Sequence, residues 1–189
     1  AYSIGNGATL TVNAASGVLG NDTDANGNAL TAQLVTGASH GTLALHSDGS
    51  FVYTSVGYVG EDTFTYRAFD GSLYSEAVVV TITVTNILPV ASPDIYTALS
   101  GFTLTVSAPG VLGNDTDANN NTLTAVLVTG VSNGSLTLNS NGSFVYTSNI
   151  GFVGQDSFTY QAFDGFGNSV TVTVTINVTA VACQIYMPL

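Results

Sequence analysis

Two acidic loops carry the residues best suited to chemistry. Asp22, Asp24, Asn26 and Asn28 set oxygen side chains at every second position, and Asp115, Asp117, Asn119 and Asn121 repeat the arrangement. Such spacing lets oxygens converge on a hard cation such as Ca2+. Two carboxylates per loop make a weak site, and Ala29-Leu30-Thr31 stands where a calcium loop would end in a bidentate Glu. The other reading is an Asx-rich turn whose side chains cap their own backbone amides.

A second constellation is Asp62-x-Phe64-x-Tyr66, repeated as Asp156-x-Phe158-x-Tyr160. On a strand, Phe and Tyr two apart enter the core together, and the Tyr hydroxyl is expected to bond nearby backbone. Asp62 and Asp156 then satisfy turn amides or, with Asp94, help bind a cation. His40 and His46 are replaced by Asn133 and Asn139 in the repeat, so paired turn positions are expected rather than a metal pair. No nucleophile elbow, zinc helix or phosphate loop is present, and no enzyme is expected. Tyr58, Tyr74, Phe152 and Phe166 are candidates for a sugar platform, or plugs for open sandwich ends. Asn-x-Ser/Thr triplets at Asn21, Asn114, Asn120, Asn133, Asn141 and Asn177 could carry glycans.

One Arg and no Lys stand against twelve acids, for a net charge of −11. Nothing can displace counterions from nucleic-acid phosphates or dock on an anionic membrane. Lysine isopeptide cross-links are impossible, and the lack of Lys points to a secreted or cell-surface protein. No apolar run reaches the ~18–20 residues of a membrane span. No signal-peptide pattern opens the sequence, as expected of a processed product. With 45% apolar and 10% aromatic residues, disorder is not expected. A single cysteine, Cys183, forms no disulfide within one chain; it either joins two chains or packs as a small apolar residue.

The elements that position these residues come from a duplication. Val18-Leu19-Gly20-Asn21-Asp22-Thr23-Asp24-Ala25-Asn26 recurs at Val111–Asn119, Gly49–Ser55 at Gly142–Ser148, and Ala68-Phe69-Asp70-Gly71 at Ala162–Gly165. Within each copy the apolar period is two: Leu30, Ala32, Leu34; Leu43, Leu45; Phe51, Tyr53; Val78, Val80, Ile82, Val84; and Val170 to Val178 in the second copy. Turn signals at Asp48-Gly49, Asn141-Gly142, Asp70-Gly71 and Asp164-Gly165 separate the runs. About seven short strands per copy predict an all-β chain of two tandem immunoglobulin-like (Greek-key) β-sandwich domains. The expected domains are 1–86 and 87–179, the second with a Pro-bearing connector, followed by an apolar tail, 180–189.

The ordered set V-L-G-N-D-T-D-A-N, L-T-A, G-S-F-V-Y-T and G-x-V-G-x-D-x-F-T-Y-x-A-F-D-G resembles bacterial immunoglobulin-like or cadherin-like tandem repeats of large secreted and cell-surface proteins. The resemblance implies an extracellular structural role, as in adhesins and their stalks, and raises the expectation of calcium at the acidic loops. It names no ligand.

The second copy is preceded by Asn86–Asp94, whereas Ala1-Tyr2 aligns with Ile95-Tyr96, so the first copy begins without that lead-in. The uncharged tail is about as long. Val181, Cys183, Ile185, Tyr186, Met187 and Leu189 are therefore expected to form a strand donated to the first domain of the next subunit, giving a head-to-tail homopolymer. A plain fragment or stalk segment of a longer adhesin is the other reading. A calcium- or glycan-binding accessory module, meeting a glycan or a host or cell surface, is the alternative from another class.

Overall fold

The computed structural model describes residues 1–181 and contains fourteen strands among them. The first domain comprises β1 (Tyr2–Gly5), β2 (Thr9–Val12), β3 (Thr31–Thr36), β4 (Gly41–Leu45), β5 (Phe51–Ser55), β6 (Gly60–Phe69) and β7 (Val78–Thr85). The second comprises β8 (Asp94–Leu99), β9 (Thr103–Val106), β10 (Thr124–Thr129), β11 (Gly134–Leu138), β12 (Phe144–Ser148), β13 (Gly154–Phe163) and β14 (Val172–Thr179). The chain divides into two compact units, Ala1–Ile87 and Leu88 onward.

Each domain is a four-stranded sheet packed on a three-stranded one: β1-β7-β6-β3 on β2-β5-β4, and β8-β14-β13-β10 on β9-β12-β11. All pairs are antiparallel except β1 with β7 and β8 with β14, which run parallel. The chain thus changes sheet right after its first strand, the Greek-key arrangement of an immunoglobulin-like sandwich. Alternation drives the packing. Phe51, Tyr53, Phe64, Tyr66, Ile82 and Val84 are buried, while the Thr residues between them face outward. Aromatic edges tie the two sheets together: Tyr2 meets Phe51 at 4.9 Å and Phe51 meets Phe64 at 5.4 Å. Tyr96, Phe144 and Phe158 repeat the stack in the second domain.

Three alternation readings fail locally, at Leu34, Val78 and Val170. Leu34 is exposed because a bulge between Leu34 and Thr36 re-aims the edge strand β3. Val170 is exposed because it lies in the turn before β14 rather than in the strand. The turn signals hold. Asp48 accepts from the Ser50 amide at 2.9 Å, and Asp70 from the Ser72 and Leu73 amides at 2.6 and 2.7 Å.

β4 opens where backbone and ring crowd together. A Cβ on Gly41 would lie 2.5 Å from the Thr54 carbonyl oxygen and 2.6 Å from the Tyr53 ring, whereas one on Gly37 meets nothing within 4 Å. Gly41→Ala is expected to cost about 1–3 kcal/mol by urea unfolding, and Gly37→Ala to leave the midpoint near wild type.

Candidate functional site

The buried carboxylates at the starts of β6 and β13 are fully engaged. Asp62 Oδ1 accepts from the Ser39 and Thr63 amides, both at 2.9 Å, and Oδ2 from the His40 amide at 2.9 Å and the Tyr53 hydroxyl at 2.8 Å. Asp156 makes the same four bonds with Ser132, Ser157, Asn133 and Tyr146. Burial alone pushes each carboxyl up, but the four donors outweigh it and hold both below the ordinary range. The partnered tyrosines, Tyr53 and Tyr146, are pushed well up by burial and by the carboxylate beside them. Satisfaction of loop amides and a tyrosine hydroxyl is what these aspartates do here. His40 adds a stacked contact with Tyr58, 3.8 Å between centroids, and brings Nδ1 to 3.6 Å from Asp62.

Tyr66 and Tyr160 carry the acidic loops. The expected bond to nearby backbone is made to distant backbone instead: Tyr66 donates to the Val18 carbonyl at 2.7 Å and to Asp22 at 2.9 Å, some 48 residues back. Tyr160 does the same with Val111 and Asp115. The sheet stacking, not sequence proximity, brings the hydroxyl there. Asp24 Oδ1 accepts from the Asn26 and Asn28 amides, both at 2.9 Å, and Asp117 Oδ1 from the Asn119 and Asn121 amides, at 3.0 and 2.8 Å. These are Asx turns. In the second domain Asp117 Oδ2 and Asn121 Oδ1 are buried without a hydrogen-bond partner. Among the described residues no group of three or more His, Cys, Asp or Glu side chains is placed to hold a metal ion.

The two domains differ beside these loops. In the second, the lead-in fills a trough: Val90 and Thr116 exchange backbone bonds at 2.8 and 3.0 Å, and the Ser92 amide donates to Asp115 at 2.8 Å. Ala91 is buried in the core there, and Leu88 packs so closely on Gly167 that a Cβ would overlap it. Underneath, Val172 is 9% and Val174 0% exposed. In the first domain no described segment lies on the matching surface, and Val78, the counterpart of Val172, is 46% exposed. A cleft of about 470 Å³ opens there, lined by Asp22, Thr23, Leu73, Tyr74 and Val78. A second cleft shares Asn21, Asp22 and Val78 and runs along the edge of β7 to Thr81. Sequence comparison of the copies flagged the lead-in; that it covers the surface at Val172 in the second domain is visible only in three dimensions.

The sequence pattern of the bacterial cadherin-like domain matches residues 1–86 and again 86–180. The chain belongs to the bacterial cadherin-like domain family. No curated protein sequence matches it. Among solved structures, human mucin-like protocadherin EC1-2 is 11% identical, with 95% of each chain covered and a TM-score of 0.41. Drosophila N-cadherin EC1-3 is 14% identical at TM-score 0.41, over 95% of this chain and 64% of that one. An endo-fucoidan hydrolase of glycoside hydrolase family 107 is 22% identical at TM-score 0.35, over 96% of this chain; the chain spans 28% of that enzyme's length. Cadherin-like repeats are extracellular structural or adhesion-type modules, and no described helix is long and apolar enough to cross a membrane.

The remaining candidates scatter over the cadherin-like domains. His46 sits on the exposed turn after β4, at the opposite end of that strand from His40. Tyr58 is held by its hydroxyl bond to the Glu61 carbonyl, and Phe152 packs on the second core. Tyr74 is half exposed with the Arg67 guanidinium 3.7 Å over its ring, and Phe166 is exposed at the equivalent hairpin. Asn21, Asn114, Asn120 and Asn141 lie on exposed loops; Asn133 is half-buried before β11, and Asn177 lies within β14, paired on both sides. Val181 is half exposed, while Cys183, Ile185, Tyr186, Met187 and Leu189 lie outside the described residues.

Two carboxylates give opposite pH signatures. Asp156 is depressed, so its stabilisation is complete above the unfolded value of about 4 and is lost as pH falls through its lower folded value. Asp156→Asn puts an NH2 group against amide donors; it is expected to cost about 2–3 kcal/mol at pH 7 and to flatten the acid limb of a pH–stability curve. Asp94 is pushed up to about 6, first by burial and then by the charge of Asp115. The folded state therefore holds this proton more tightly, and stability falls as pH rises from about 4 to about 6. Asp94→Asn is expected to raise the melting temperature at pH 7 and leave it unchanged near pH 4, read by calorimetry.

Proposed function

We propose that this chain is an extracellular structural subunit that joins copies of itself head to tail, the C-terminal segment of one copy adding to the first domain of the next. One observation supports the reading above the rest. Val172 is buried in the second domain beside a preceding segment, and its counterpart Val78 is 46% exposed in the first. An uncovered sheet edge with exposed aliphatic residues is a template for another chain. A donor and an acceptor at different places make the contact heterologous, which extends into a filament unless the rotation closes it. The surface suits such a role: with one cation, neighbouring copies gain little from ion pairs and must gain from backbone bonds and apolar burial. The stalk reading uses the same two domains without self-assembly.

Electron microscopy of the purified chain is expected to show fibres, and a version truncated after Thr179 to show single particles. Fibres that survive truncation would remove strand donation and leave the stalk.

A calcium-binding accessory module is the second reading, favoured by unpartnered oxygens around Asp115. Asp94 Oδ2 lies by that carboxylate with no donor, and Asp117 Oδ2 and Asn121 Oδ1 share a cleft with it. Calcium is expected to raise the melting temperature on this reading, with Asp94→Asn abolishing the increment. Identical melting in excess calcium and in excess chelator would reject it.

A further inference from the structure

An asparagine side chain reacts most readily with its own backbone when glycine follows, because no side chain then shields the next amide nitrogen. Four such pairs occur: Asn6-Gly7, Asn26-Gly27, Asn133-Gly134 and Asn141-Gly142. The reaction needs a side chain free to turn and a backbone amide free to leave its hydrogen bond, so the fold selects among them.

Three pairs are held. Asn6 is 1% exposed, and the Gly7 amide donates to the buried Ser55 hydroxyl at 2.9 Å. Asn133 is half-buried; Gly134 pairs with Ser148 at the start of β11, and the Thr147 carbonyl fills the place of a Cβ. Asn141 Oδ1 accepts from the Ser143 amide and hydroxyl at 3.1 and 2.7 Å. The Gly142 amide donates to the Asn139 carbonyl at 2.9 Å, with the Pro109 carbonyl wedged against Gly142. To react, these three must open a strand, a core or a clamped hairpin.

Asn26 differs. It and Gly27 are exposed, and a Cβ on Gly27 would meet nothing within 4 Å. Among the described residues the Asn26 side chain makes no hydrogen bond; its backbone amide donates to Asp24 Oδ1. The Gly27 amide is tied by a 3.1 Å bond to the Asp24 carbonyl, in a loop that opens at low cost. The openness of this tip does not depend on a missing segment. In the second domain, where the preceding segment bonds Thr116 and Asp115, Asn120 stands exposed in the place of Gly27.

From this geometry we propose that Asn26 is a self-modification site. The Gly27 amide nitrogen gives up its proton and bonds to Asn26 Cγ, and the side-chain nitrogen leaves as ammonia. The cyclic imide so formed takes up one water. Addition at Cγ gives aspartate; addition at the main-chain carbonyl carbon gives isoaspartate. Either product adds a carboxylate beside Asp22 and Asp24 in a chain whose net charge is already −11. Isoaspartate also routes the main chain through one extra carbon between the amides of Asn26 and Asn28, both of which Asp24 Oδ1 accepts, and so disrupts the turn. The second loop carries Asn120 in place of glycine, at φ 59°, and its added side chain slows the same step at Asn119.

The test incubates the full chain at mildly alkaline pH and follows each asparagine by chymotryptic peptide mapping, since one Arg gives trypsin a single cut. Isoaspartate is counted separately with an isoaspartyl methyltransferase. In folded chain Asn26 is expected to convert at least tenfold faster than Asn6, Asn133 and Asn141, giving both products. In urea-unfolded chain the four rates are expected to converge. Gly27→Asn copies the loop of the second domain; it is expected to slow conversion at Asn26 at least tenfold and to leave the melting temperature unchanged. Conversion of Asn133 or Asn141 as fast as Asn26 in folded chain overturns the proposal, as does an Asn26 rate that Gly27→Asn leaves unaltered. Aspartate formed without isoaspartate overturns the imide route.

Discussion

A chain with one cation must settle twelve carboxylates with N–H and O–H donors, and that constraint shapes both domains. Asp62 and Asp156 each gather three amides and a tyrosine hydroxyl, so a buried charge becomes the knot that holds a loop, a strand start and the opposite sheet together. Asp24 and Asp117 fold their own loops into Asx turns, and Asp48, Asp70 and Asp164 do so at the hairpins. None of these needs a counter-ion.

The constraint is met least well around Asp94 and Asp115. Both carboxyls are pushed up, burial being the first cause in each, and one oxygen of Asp94 has no donor. Asp115 is bonded by the Ser92 amide and the Tyr160 hydroxyl, so the lead-in segment is itself part of what makes the charge tolerable. Covering the apolar valines and bonding the carboxylate are done by the same few residues, which couples core closure to electrostatics at this end of the domain.

The first domain holds the same loop and the same tyrosine with the trough open. Asp22 keeps the Tyr66 bond, the Asx turn at Asp24 is intact, and the core below is complete from Ile82 onward.

Much of this was legible in the residues. Period-two alternation with β-branched and aromatic residues, and Asp-Gly or Asn-Gly turns, set strand number, the two sandwiches and the buried Phe-x-Tyr pairs, because a strand half buried on one face writes that pattern directly into sequence. The duplication set the domain count. Three things needed the tertiary structure. Tyr66 and Tyr160 bond to backbone some 48 residues away, since sheet stacking joins positions that no local spacing connects. Leu34 turns outward at a bulge that leaves no mark in the apolar pattern. And the acidic loops send Asp22 to a tyrosine and Asp24 to its own backbone, pairings that alternate spacing alone does not specify. Sequence determined which side chains can pair; the stacking of the two sheets decided which of them do.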